Sequence, residues 1–147
     1  MRNAGKAAAQ CAARDTRPDD ARGHLDEARK IAARIGECNG LRMHFGSTNA
    51  EVWRLGIGVE LGEGGRAYEQ ATRTRVDVAA LNSREKSAAW HFDLARALVQ
   101  DSARRDSEAI QHLDTADRLA PIRIRNEPLA RDLVVCKHDF NDNRRVD

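Results

Sequence analysis

Apolar residues recur along most of the chain at steps of three and four, the spacing that places side chains on one face of an α-helix. The first clear run covers residues 18–35. Its apolar face consists of Ala21, Leu25, Ala28, Ala32 and Ile35. This pattern predicts a helix from Pro18 to Ile35, preceded by a shorter alanine-rich helix over residues 3–14.

Two further helix starts are marked by residues suited to capping. After a long loop over residues 36–47, Thr48 with Glu51 forms a capping-box pattern that predicts a helix ending near the glycines at 62, 64 and 65. A shorter helix should follow them. Asn82 with Glu85 predicts the next start, and the apolar pattern continues to about Asp101.

The last third of the chain continues the helical pattern. Apolar positions from Ala109 to Leu119 predict a helix that Pro121 terminates, and Pro128 should open a final helix. Alternation with period two occurs only briefly, at Ile122 and Ile124. We therefore predict an all-α protein.

Two helices share one arrangement of apolar positions. Ala109-x3-Leu113-x2-Ala116-x2-Leu119 has the spacing of Ala21-x3-Leu25-x2-Ala28-x2-Ile31. Such self-similarity resembles a tetratricopeptide repeat, with copies at residues 88–121, 48–75 and 3–35. The resemblance implies a right-handed stack of about three helical hairpins with a capping helix, an α-solenoid spanning residues 1–138, before a flexible tail at 139–147.

Longer segments carry a second resemblance. They read HLDEARKIAARIGE (24–37), FGSTN (45–49), VELGEGGRAYEQA (59–71), FDLARALVQ (92–100) and LDTADRLAPIRIR (113–125). They are similar to the C-terminal repeat region of actinobacterial helix-turn-helix regulators of the Xre type. That resemblance implies a domain that senses a ligand or partner and often dimerises. Because no helix-turn-helix precedes the repeats here, we do not expect direct DNA binding. We interpret the chain as a sensor-only relative of these regulators or as a fragment of one.

Composition narrows the class of protein. A formal net charge of +2 is far from the strongly basic balance of nucleic-acid-binding proteins. The cysteines Cys11, Cys38 and Cys136 are odd in number and far apart, as expected of reduced thiols. No apolar stretch is long enough to cross a bilayer, and no signal-peptide core is present. We expect a cytoplasmic protein.

Residue types that carry catalysis do not form recognisable motifs. The five histidines never occur at metal-ligand spacing, and the chain lacks a phosphate-binding loop or nucleophile elbow. We therefore predict no enzyme activity, no metal and no cofactor. An undescribed hydrolase remains an alternative that paired carboxylates or a buried Cys–His pair in a pocket would revive.

The binding face of a helical solenoid is lined by the first helices of its hairpins. By helical phase, the candidates on this face are Asn49, Trp53, Arg96 and Gln100. Three of them have a plainer alternative role. Asn49 could serve the helix start, Trp53 could pack between hairpins, as could Trp90, and Arg96 could be a solvated surface charge.

We predict a non-catalytic module that binds a peptide, protein partner or small ligand on the concave face, with homodimerisation possible. Two alternative hypotheses are a general peptide-binding adaptor and a truncated, non-functional remnant of a regulator. The basic residues near the C-terminus suggest contact with phosphates, but interleaved acidic residues favour a solvated tail.

Overall fold

The computed structural model describes residues 17–35, 46–101 and 105–133, together with Ala9, Cys11 and Asp15. These residues form helices and turns with no strand among them, which confirms the all-α prediction for this part of the chain. The helices are α1 (Pro18–Ile35), α2 (Ser47–Glu60), α3 (Gly64–Thr74), a 3-10 helix (Val78–Leu81), α4 (Arg84–Gln100), α5 (Asp106–Leu119) and α6 (Pro121–Arg125). Residues 128–133 are helical as well.

The start of α2 differs from the prediction. The helix begins at Ser47, so the capping position is Gly46, two residues before the predicted cap Thr48, and Gly46 offers no side chain to cap the first amides. The predicted capping box of Thr48 and Glu51 is therefore wrong. The Glu51 carboxylate instead pairs with Arg54 at 2.5 Å and with Arg29 of α1 at 3.2 Å. One ion pair within α2 and one with α1 therefore occupy the carboxylate that the local pattern assigned to the cap.

The cap of α4 lies one position after the predicted one. Ser83, not Asn82, precedes the helix, and its Oγ accepts a hydrogen bond from the Lys86 N–H at 3.3 Å. Asn82 has a φ of 46° and ends the 3-10 helix by donating its N–H to the Ala79 carbonyl. The sequence pattern did not predict this 3-10 helix. Asparagine tolerates this left-handed backbone better than most residues, which explains its place there.

The glycines between α2 and α3 serve different purposes. Gly62 ends α2 with a φ of +76°. Gly64 instead opens α3 and lies so close to α4 that a Cβ there would be 2.5 Å from the Ala97 carbonyl oxygen. The prediction that all these glycines lie in the turn is therefore correct only for Gly62, since Gly64 and Gly65 belong to α3.

The helices pack in chain order as successive hairpins. α2 packs on α3, and α4 lies against both of them before pairing with α5. α1 packs on α2, and α6 packs on α5. The largest apolar core fills the space between α2, α3 and α4, where Leu55, Leu94 and Leu98 are buried. Two smaller cores lie on either side, one between α1 and α2 and one between α4, α5 and the residues after Pro121.

The segment after α5 is helical, not extended. Pro121 occupies the first turn of α6, where its missing N–H costs no hydrogen bond. Ile124 is buried and Ile122 is 80% exposed, so the two isoleucines point in different directions. In the predicted capping helix, Ala130 is buried in the third core, whereas Leu129 is 45% exposed.

Several predictions fall outside the described residues. Ala9 and Cys11 are helical, but the rest of the predicted helix at 3–14 lies outside, as do residues 36–45 of the predicted loop, Val134 of the predicted capping helix and the predicted tail. Of the helices that the structure describes, none has the length and apolar character needed to cross a membrane.

Candidate functional site

Polar side chains join α2 to α4 along the seam where these two helices meet. At one end, the Lys86 ammonium donates to Asn49 Oδ1 at 3.1 Å. At the other, Gln100 Nε2 donates to the Val59 carbonyl at 3.0 Å. Between these contacts, Arg96 reaches across from α4 to α2. Three of the predicted binding residues therefore lie on one seam.

The structure places Asn49 in the interior. Its side chain has no exposed area, although the prediction put it on a binding surface. Its Oδ1 holds the Lys86 ammonium, while its Nδ2 makes no hydrogen bond within the described part of the chain. Because Asn49 is fully buried, a ligand cannot reach it in this structure. Its hydrogen bond with Lys86 joins α2 to α4.

Trp53 lies in the core between α1 and α2. It is 6% exposed and packs with Ala21, Leu25 and Ile57. The alternative role in packing between hairpins, considered for both tryptophans, describes the position of Trp53. Trp90 is likewise buried, in the central core.

Gln100 connects three helices. Its Oε1 accepts the N–H of Gly64 at the start of α3, at 3.0 Å, while its Nε2 bonds the Val59 carbonyl near the end of α2. The Gly64 N–H lies in the first turn of α3, where the helix itself supplies no acceptor, whereas the Val59 carbonyl accepts the Gly62 N–H as well as Gln100 Nε2. Gln100 fixes the α2–α3 turn against the end of α4.

Arg96 is the predicted residue that borders an open site. Its guanidinium pairs with Glu60 of α2 at 2.9 Å and with Asp93 of α4 at 3.1 Å, and it lies 5.9 Å from the centre of the Phe92 ring. Only 18% of its side chain is exposed. A solvated surface charge is therefore not an adequate description of Arg96.

A cavity of about 230 Å³ opens beside this ion-paired group, between α2, α4 and residues 123–129. Its charged lining comprises Glu60, Asp93, Arg96, Arg123 and Glu127. We call it the Arg96 cavity. Its apolar lining is formed by Ala89, Phe92, Ile124 and Leu129.

The environment of Asp93 makes its charge sensitive to pH. Burial raises the pKa of this carboxyl to about 6, while the ion pair with Arg96 acts in the opposite direction. Gly56 of α2 makes room for the group, because a Cβ there would be 3.0 Å from Asp93 Oδ2. A proton or a cationic ligand would each relieve the cost of holding this carboxylate away from water.

Sequence reasoning missed Asp93, Glu60 and Gly56. The available signal was a glycine inside an otherwise regular helix, which often marks the close approach of another group. The sequence does not show which group approaches, because Asp93 is contributed by a different helix. Helical phase identified Arg96 but not its carboxylate partners.

A second polar contact lies between α4 and α5, outside the cavity. The Nδ1 atoms of His91 and His112 are 3.0 Å apart, and the two rings stack. Tyr68 meets the edge of the His112 ring and donates its hydroxyl to Glu108. Burial lowers the pKa of both histidines. Within the described residues, no group of three or more His, Cys, Asp or Glu side chains is placed to hold a metal ion.

No protein-family model, curated protein or solved structure matches the chain. The geometry of the Arg96 cavity therefore has to support any functional assignment.

Proposed function

We propose that the chain is a non-catalytic interaction module that binds a peptide of a partner protein, with one peptide side chain entering the Arg96 cavity. The single observation that carries this proposal is a charged cavity on the face formed by α2 and α4. These are the first helices of successive hairpins, the elements that line the binding face of a helical solenoid. A tetratricopeptide-like stack and a relation to the sensing region of Xre-type regulators are parts of the same proposal.

The charge network at the cavity supports binding better than it supports stability. Buried ion pairs often contribute no more to stability than apolar side chains of similar volume would, because desolvation offsets their attraction. Asp93 and Glu60 share the single guanidinium of Arg96. The cavity lining holds three carboxylates, Glu60, Asp93 and Glu127, against two guanidinium groups, which leaves acceptor capacity that an incoming hydrogen-bond donor can use.

The size of the cavity favours a peptide side chain over a larger molecule. Pockets for drug-sized ligands usually enclose roughly 300–1,000 Å³. The Arg96 cavity, at about 230 Å³, is smaller. Its wall combines the Phe92 ring and Leu129 with carboxylates, which suits a side chain with an apolar stem and a polar or cationic end. Lysine and arginine have this form.

The proposal can be tested by selecting peptides from a random phage-displayed library on the full chain. Synthetic copies of the enriched peptides would then be titrated calorimetrically. Ala89→Leu fills the cavity wall without touching a charge, whereas Ala33→Leu adds the same atoms at an exposed position of α1. We expect the cavity-filling variant to weaken binding about tenfold or more, a loss of about 1.4 kcal/mol, and the control to leave it unchanged.

Two results would contradict the proposal. One is a library that yields no enriched peptide on the folded native chain. The other is a selected peptide that binds Ala89→Leu as tightly as it binds the native protein. Circular dichroism of both variants would establish that each remains helical.

A further inference from the structure

The most exposed large apolar side chain in the described residues lies at the start of α6. Ile122 is 80% exposed, compared with 52% for Val99, the next in rank. It borders a shallow depression of about 760 Å³, together with Leu119, Ala120 and Pro121. We call this region the Ile122 surface. Ile122 thus places apolar area in solvent at the edge of a concave surface, where an apolar side chain of a partner would shield it from water.

The rim of the Ile122 surface is basic. Arg84, Arg118 and Arg123 line it, against a single carboxylate, Glu85. Arg84 donates to the carbonyl oxygen of Arg118 at 3.2 Å, so its contact there is with a neutral group. Within the part of the chain that the structure describes, no carboxylate lies within ion-pair distance of Arg84 or Arg123.

We infer that the Ile122 surface docks an acidic amphipathic peptide of a partner protein. An apolar side chain of the peptide covers Ile122 and Leu119, and its carboxylates face Arg84 and Arg123. Charge complementarity identifies the occupant, since Arg84 and Arg123 border the apolar residues without an ion pair within the described part of the chain, whereas the Arg118 guanidinium is already paired with Asp114. Arginine is well suited to such a rim because its planar donors match a carboxylate in two hydrogen bonds.

A nucleic acid fits this surface less well. Phosphates would satisfy the arginines but would leave Ile122 against a charged backbone, with no apolar group to cover it. The chain as a whole carries a formal charge of only +2, which supplies little of the general attraction on which nucleic-acid binding depends. The apolar centre is the feature that favours a peptide.

The inference does not rest on the proposed function. Neither Ile122 nor Arg84 lines the Arg96 cavity, and Ala89 does not line the Ile122 surface. Filling the cavity and altering this surface therefore change different sites. Arg123 borders both sites, so it is left unaltered in the test.

The test uses fluorescence anisotropy on the full chain with three labelled probes. The first is a helical peptide with leucines on one face and glutamates beside them, the second has lysine in place of every glutamate, and the third is a DNA duplex. We expect only the glutamate peptide to bind, and more weakly as salt is added. Ile122→Ser and Arg84→Gln should each reduce its affinity about tenfold.

Matched controls come from the same chain. Val99→Ser changes an exposed apolar residue on α4, and Arg73→Gln changes an arginine whose side chain is 81% exposed on α3. Both should bind the glutamate peptide as the native chain does. Thermal unfolding should show Ile122→Ser to be as stable as native, since its side chain is almost fully in solvent.

Four outcomes would overturn the inference. They are failure of the native chain to bind the glutamate peptide, equal binding of the lysine peptide, tighter binding of the duplex, and unchanged affinity in Ile122→Ser. A fifth contrary outcome is self-association of the native chain, measured by sedimentation and abolished by Ile122→Ser. It would assign this surface to a second copy of the chain, and not to an acidic peptide.

Discussion

Helix α4 presents two faces to the rest of the molecule, and they differ in chemistry. One face carries Leu94 and Leu98, which are buried in the core shared with α2 and α3. The other carries Ala89, Asp93 and Arg96, which border the Arg96 cavity. The apolar face holds the hairpins together, whereas the charged face keeps polar groups partly buried beside open space. Leu94 and Leu98 therefore provide stability, whereas Ala89, Asp93 and Arg96 border space that a ligand can enter.

The largest expected effect comes from opening a space on the packed face. Leu98 is 1% exposed, whereas its neighbour Val99 is 52% exposed. Leu98→Ala should lower the free energy of unfolding by about 3 kcal/mol, because it removes buried methyl groups and leaves a cavity. Val99→Ala should change it by less than about 0.5 kcal/mol. Urea denaturation measures both, and equal losses would contradict the distinction between these positions.

The close approach of α3 to α4 gives the next effect. Gly64→Ala would place a methyl group 2.5 Å from the Ala97 carbonyl oxygen, which is backbone and cannot rotate away. We expect a loss of about 2 kcal/mol from overpacking.

The same change at Gly23 provides the control, since nothing lies within 4 Å of a Cβ there. Gly23→Ala in α1 should raise stability by about 0.5–1 kcal/mol, because alanine is the better helix former. Thermal unfolding would compare the pair, and a stable Gly64→Ala protein would show that the helices are not so tightly packed.

A substitution on the charged face of α4 should raise the free energy of unfolding, whereas substitutions on the packed face lower it. The folded-state pKa of Asp93, about 6, lies above its ordinary value of 3.8, so the folded protein binds this proton more tightly than the unfolded chain does. The resulting stabilisation is complete below about pH 3.8 and is lost as the pH rises through about 6. Asp93→Asn, which carries no charge to desolvate, should therefore be more stable than native at pH 7.5, by about 1–2 kcal/mol.

Urea denaturation at several pH values would test this relation. The gap between native and Asp93→Asn should narrow as the pH falls from 7.5 to 4.5. Glu60→Gln is a suitable comparison, because its side chain is 30% exposed and it also pairs with Arg96. If Asp93→Asn is less stable than native at every pH, the ion pair with Arg96 outweighs the cost of burying the carboxylate.

The smallest expected effect concerns the histidine contact between α4 and α5. Burial lowers the pKa of His91 and His112 below 6.5, so the unfolded chain takes up these protons first. Their contribution is complete above about pH 6.5 and is lost as the pH falls through the lowered values. The loss should be smaller than the effect expected at Asp93, because both rings are only half-buried and solvent screens their charges.

The Asp93→Asn background separates this effect, since Asp93 titrates in an overlapping range with the opposite sign. In that background, adding His112→Gln should flatten the fall in stability between pH 7 and pH 5. An undiminished fall would place the titrating groups elsewhere.

The sequence predicted the regular parts of the fold best. The α1 bounds and the apolar faces of α1 and α5 were evident because a helix packed on one side leaves a repeat of three and four. The start of α2 was misplaced because Glu51 pairs with Arg29 and Arg54 and does not serve the cap. The start of α4 was misplaced because two consecutive residues, Asn82 and Ser83, both suit a helix start.

The Arg96 cavity was predictable only in part. Helical phase selected Arg96 on α4. Gly56, which leaves space for Asp93, and Glu60, which pairs with the Arg96 guanidinium, are both on α2. Contacts between residues far apart in the chain leave no local pattern to read. The same holds for His91 and His112, which are brought together by the packing of α4 on α5.

Binding at the Arg96 cavity is tested most directly by a ¹H–¹⁵N correlation spectrum of the full chain, recorded as a peptide from the library selection is added. We expect amide shift changes concentrated at Gly56, Ala89 and Asp93, on the two helices that border the Arg96 cavity. Shifts confined to α3 and α5, with these amides unmoved, would contradict it and place the binding site elsewhere on the molecule.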